Sequence, residues 1–286
     1  MKHILSPLLI LVFSALACNL PLLPPTTAYP TVTEPSLPPT KISVPNTPAS
    51  GFSGQTVTYD HISLSLPIHL ATSGIGQSFP RAEGENIAPW EITPGHIVLT
   101  LNDYTLKNTF HAPRIYVFPA QEYAALFEGA QESLNRLQNI LAAPNAPVTP
   151  ETLPFIPFFN AGAQFSAQIR RIAFQNGAGV RFLTQYGQDI SPINNQAMFY
   201  QFQGLTNDGK FYVITILPAN HPTLPADYTS MAPPGGIPFP DYNDPNADFM
   251  GYYEQIAQII DASAGNAFIP SLETLDMLIQ SIQITP

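Results

Sequence analysis

Nine prolines and six threonines crowd into the thirty-two residues from Asn19 to Ser50, NLPLLPPTTAYPTVTEPSLPPTKISVPNTPAS, where only Glu34 and Lys41 carry charge. Proline locks φ and removes a backbone donor, so a stretch this rich in it builds neither a helix nor a central strand. An extended, solvated polyproline-like linker is expected there, reaching on the order of 100 Å at ~3.1 Å per residue. That linker dictates the rest of the organisation. Folding falls to residues 51–286, enough for one sizeable domain, and no fixed-period repeat suggests an array.

Ahead of the linker, Lys2 and His3 precede a mostly apolar run, Ile4–Phe13, and then Ala15-Leu16-Ala17. This is the layout of an export signal. As a membrane span it is too short, since Pro7 interrupts it and about 20 apolar residues are needed. Cys18, the sole cysteine, follows directly. The stretch resembles the lipobox of bacterial lipoproteins, with Ala15 and Leu16 in the reverse of that family's usual order. The resemblance implies removal of residues 1–17, acylation of Cys18, and anchoring to the outer face of the cytoplasmic membrane or to an outer membrane. Two or more acyl chains would hold the protein at that surface for long times, where one would not. Ordinary secretion with a free terminal thiol is the plainer alternative. Either way no disulfide can staple the domain, because a second cysteine is lacking.

Charged residues make up 10% of the chain, against roughly 25% in ordinary soluble domains. The surface is therefore expected to be built from Asn, Gln, Ser, Thr, Pro and Tyr. A formal net charge of −10 repels nucleic acid and other polyanions, which removes them from the expected partners.

Within the domain, Thr56–Asp60 and Ile62–Leu66 read as a strand pair opening the sheet, followed by a loop as far as Pro94. Ile97, Leu99 and Leu101 alternate in a strand, and Ile115–Phe118 make another. Tyr123, Phe127, Ala130, Leu134, Leu137 and Leu141 fall on one face of a helix from about Gln121 to Leu141. Four strand segments joined at Asn176-Gly177, a Pro192 loop and Asn207-Asp208-Gly209 predict antiparallel hairpins. In the last, Phe211–Leu217, both faces are apolar, so cover is needed above and below. Helices at 249–260 and 272–282 can supply it. The expected fold is α+β, mainly an antiparallel sheet with helices on both faces, an αβα sandwich. The opening pair Val57–Leu66, the hairpin Phe199–Leu217 and the closing helix into strand Leu272–Ile284 weakly resemble the sandwich of PsbP-type extracytoplasmic proteins. That resemblance implies a binding or scaffolding role.

Motifs for chemistry are absent. No Gly-x-Ser-x-Gly elbow occurs, and His61, His69, His96, His111 and His221 are scattered without zinc-ligand spacing. Asp244, Asn246 and Asp248 match the start of a calcium loop, but Phe249 and Gln255 stand where its glycine and bidentate glutamate belong. A helix start with Asp244 as N-cap and Pro245 at the first position accounts for the same residues. Neither metal nor cofactor is expected. Arg181, if it faces inward, needs a mate, and Asp189 or Asp208 is the candidate.

The leading expectation is a membrane-anchored lipoprotein whose domain binds a protein or glycan partner of unknown identity. Two proline-aromatic loops form its candidate surface, through Phe155, Phe158, Phe159, Met231, Phe239 and Tyr242. A cell-surface hydrolase with a site assembled from distant residues is the alternative.

Overall fold

The computed structural model describes residues 54–230 and 233–285. The export signal, Cys18, the linker and Met231 lie outside these residues. Among the described residues the chain is α+β, with ten strands, all paired antiparallel, and four helices.

The opening pair forms as expected, β1 (Gly54–Tyr59) with β2 (Ile62–Pro67), but it does not open the main sheet. It makes a separate three-stranded sheet with β10 (Gln283–Ile284), where Ile284 sits opposite Ile62. The stretch expected to be loop contains β3 (Ser73–Phe79), which pairs along its whole length with β4 (His96–Asn102). Gly74 and Gly76 dilute its apolar alternation, and packing explains them. A Cβ on Gly76 would lie 2.0 Å from the Tyr59 ring, and one on Gly74 2.9 Å from Val57, so β1 can rest on β3 only because these side chains are missing.

The main sheet adds β5 (Arg114–Pro119), β6 (Gly162–Phe174), β7 (Gly177–Gly187), β8 (Phe199–Thr206) and β9 (Phe211–Pro218), in the order β3-β4-β5-β9-β8-β7-β6. The two-faced apolar pattern of β9 divides as its alternation requires. Val213 and Leu217 join one core, which takes in β2, β4, α3 (Phe249–Asp261) and α4 (Leu272–Gln280). Tyr212, Ile214 and Ile216 join a second, with α1 (Ala120–Leu126) and α2 (Glu128–Ala142).

Two helices thus stand where the spacing predicts one. Phe127 adopts an extended conformation (φ −141°, ψ 121°), and its carbonyl accepts the Ala130 and Gln131 amides to start the second helix. Tyr123 and Leu137, both fully buried, share one core despite the break. Helix α4 has the N-cap Ser271 expected from the sequence, its Oγ 3.2 Å from the Thr274 amide. In α3 the cap is Asp248, accepting from the Gly251 amide at 2.8 Å, rather than Asp244. The carboxylate of Asp244 instead accepts the Asn246 amide in a local turn at 2.9 Å, which delays the helix by one turn.

Candidate functional site

The loop carrying Phe155, Phe158 and Phe159 folds back onto the second core. Its backbone is well satisfied: Ser133 Oγ donates to the Phe155 carbonyl at 2.6 Å, Gln203 Nε2 to Pro154 at 3.2 Å and Arg136 Nη1 to Leu153 at 3.2 Å. The Ile156 amide donates to Tyr186 Oη at 3.1 Å. Phe158 packs tilted on Tyr116, and Phe159 stacks on His111, so these rings are half-buried cover. Phe239 and Tyr242 belong elsewhere, in an aromatic group with Phe249 and Tyr252 on α3. Phe239 packs against the first core while Phe158 and Phe159 pack against the second, and no ring contact joins the two groups among the described residues.

Arg181 does face inward, but its mate is neither expected acid. Asp189 is exposed in the loop beyond β7, and Asp208 pairs with Lys210 at 3.5 Å in the β8–β9 turn. The mate is Asp276 on α4, 3.2 Å from Arg181 Nε, and Tyr200 Oη donates to the same carboxylate oxygen at 2.8 Å. Burial raises the Asp276 pKa above its ordinary value, outweighing the Arg181 charge and the hydrogen bonds that pull it down. Asp276 was legible: it lies on the same helical face as Leu272, Leu275 and Ile279, where an acid needs a partner. All these groups are packed between sheet and helix, so the cluster pins α4 to β7.

A different place carries unsatisfied capacity. The core around α1 and α2 draws on β5, β9, β8 and β7 and on no residue of β3 or β4. Where that cover stops, the sheet face lies open as a groove of about 300 Å³ lined by Ile75, Gln77, Phe79, His96, Val98, Thr100, Asn102, Arg114 and Tyr116. Strand register orders these side chains in rows. Ile75 pairs with Thr100 and Thr100 with Arg114; Gln77 pairs with Val98 and Val98 with Tyr116; Phe79 pairs with His96. The His96 ring is stacked between Phe79 and Phe118, with centroids 5.4 and 4.6 Å away. One end of the groove is thus aromatic, and two rows along stands the Arg114 guanidinium beside the Thr100 hydroxyl, with the Gln77 amide and the Tyr116 phenol in the row between. Rows about 6.8 Å apart separate the two ends by roughly 14 Å.

Comparison with known proteins finds no matching family model, curated protein or solved structure.

Electrostatically the groove is simple. Arg114 is its only formal charge, is exposed, and makes no ion pair with any described residue, whereas Arg81, Arg136, Arg170 and Arg181 each have a carboxylate. His96 is held neutral, because burial lowers its pKa more than the contact with Pro94 raises it. With Nδ1 2.9 Å from the Pro94 carbonyl, the proton belongs there and Nε2 is an acceptor. Two other hollows are less apt. The cleft beside α2 contains Arg136 and Arg171, but Arg136 is bound to Glu132 at 2.6 Å and Arg171 to the Ala143 carbonyl at 2.9 Å. The hollow at Asn160, Gly162 and Gly187 has no charged or aromatic lining. Among the described residues no three His, Cys, Asp or Glu side chains gather as a metal-binding group.

None of the groove residues had been singled out as a site from the sequence. The signal lay in β4, whose Ile97, Leu99 and Leu101 face the core while His96, Val98, Thr100 and Asn102 make a second face, neither fully polar nor apolar.

Proposed function

We propose that the protein is an exported, lipid-anchored binding domain, an αβα sandwich held away from the membrane by the proline-rich linker, with the open face of β3, β4 and β5 as its ligand seat. The observation that carries the binding role is the groove itself: a sheet face that, among the described residues, is uncovered and joins an aromatic end to an arginine without a carboxylate partner. Ligand sites of this kind combine apolar lining with a few placed polar groups and begin at about this volume. Placement at the membrane is supported by the signal-like head, by the cysteine that follows it and by the linker composition.

The anchoring half is tested by expressing the full chain in a bacterial host, separating membrane from soluble fractions and measuring intact mass. Expected is membrane-bound protein beginning at Cys18 and heavier than its sequence by the acyl groups, with C18S losing that mass. An unmodified chain starting at residue 18 in the medium, or one that keeps residues 1–17, would overturn it.

A further inference from the structure

We infer that the groove takes an amphipathic carboxylate, a ligand whose apolar body lies over Phe79, Val98 and Ile75 and whose anionic head meets Arg114. The inference rests on the binding reading above and narrows it to a chemical class.

Three observations select that class. Ile75 and Phe79 are 60% and 38% exposed although both are large and apolar, and both line the groove, so its outer column offers surface that gains from cover. Arg114 is the groove's only charge and makes no ion pair with any described carboxylate, in a chain with 20 acidic residues against 10 basic ones. A cation left unpaired in so acidic a protein is complementary to an anion from outside, and a planar guanidinium fits a carboxylate in a two-point contact. Gln77 and Tyr116 occupy the row between, where they can bond the polar part of a ligand, and Thr100 stands beside Arg114 in its own row, where its hydroxyl can join the guanidinium at the head. The register sets the size: a body of about 7–14 Å, spanning one to two rows, reaches from the aromatic row to the guanidinium. A medium-chain acid and the free carboxyl end of a short apolar peptide both meet this description. They are two sources of one chemistry.

The test is a heteronuclear NMR titration of the full chain carrying C18S, with octanoate and octanamide in one arm and acetyl-Ala-Val-Ala with a free or an amidated carboxyl end in the other. Expected are saturable shifts at Thr100, Arg114 and Tyr116 with an acid, at least roughly tenfold tighter than with the matching amide. In R114Q that preference should vanish while the spectrum elsewhere is unchanged, and T100W, which fills the centre of the groove, should weaken acid and amide alike. The arm that responds identifies the source. Equal affinity for acid and amide would overturn the carboxylate assignment and leave the groove as a binding site. Silence of the groove toward all four probes would overturn the assignment and the seat together.

Discussion

At the scale of single residues, the half-buried His111 and the buried Asp276 set opposite pH dependences. His111 stacks on Phe159 at 5.3 Å and meets Phe199 edge-on at 4.7 Å, its Nε2 buried without a partner, and desolvation lowers its pKa from 6.5 to about 4. Between these values the unfolded chain binds the proton and the folded one does not, so this contribution is complete above 6.5 and is lost as pH falls toward 4. The loss is on the order of 2–3 kcal/mol at most by about pH 4.5. His111→Phe keeps the aromatic packing without the titration, so urea unfolding at pH 7 and pH 4.5 should show a shallower loss than the parent; an equal loss would assign the acid sensitivity elsewhere. Asp276 has the other sign. Its raised pKa makes the folded chain hold the proton longer, so its share of stability declines as pH climbs above the ordinary carboxyl value of 3.8. Removing the carboxylate altogether is worse, because Arg181 is then buried without an anion. Asp276→Ala should cost about 3–5 kcal/mol in chemical denaturation, and replacing both by apolar residues, R181M with D276L, should cost much less. A double variant as unstable as the single one would mean that the pair itself, not the stranded charge, holds α4 in place.

At the scale of elements, the fold was legible wherever one residue pattern served one purpose. The alternation in β4 and β9 and the stripes of α3 and α4 each report a face turned to a core, and each of those elements is present. Strand β3 was hidden because two of its residues answer to a neighbour rather than to the pleat. Gly74 and Gly76 lower strand propensity locally so that β1 can lie on top. The interruption between α1 and α2 was hidden for a related reason, since a stripe spaced for one helix is also satisfied by two helices meeting at an extended Phe127. Of the groove, only the mixed second face of β4 was legible in the sequence. The rows exist only in the pairing of β3 with β4 and of β4 with β5, and Arg114 looks like any surface arginine until its neighbours are known. The role of Gly76 is open to test. Gly76→Val adds three carbons where the Tyr59 ring stands at 2.0 Å from the first of them, so β1 must lift or Tyr59 must leave. A destabilisation of about 1–3 kcal/mol is expected, with faster amide exchange in β1 while β7 and β8 stay protected. Unchanged exchange in β1 would show that the close approach is dispensable.

At the scale of the whole molecule, the two ends of the domain meet on one strand. β2 pairs with β1 on one side and with β10 on the other, so the last residues of the chain complete a sheet begun by the first residues of the domain. The energetic weight of that closure is large. Leu272, Leu275, Leu278, Ile279, Ile282 and Ile284 are each at most 2% exposed and all belong to the first core. At about 1.5–3 kcal/mol for each buried aliphatic side chain, six of them contribute roughly 10 kcal/mol or more, which matches the entire stability of an ordinary domain. Losing them also strips the Arg181 guanidinium of its Asp276 carboxylate. A chain ending at residue 270 is therefore expected to show no cooperative thermal transition, although nine of the ten strands and both helices of the second core remain in its sequence. Among the described residues both cores begin at Val57, so a chain beginning at residue 51 is expected to melt within a few degrees of the parent. Calorimetry of the two truncations side by side decides the matter. A cooperative transition in the chain that stops at 270 would show that β10 and α4 are appended to an already stable body, and the same sheet would then have to hold the β7 arginine without them.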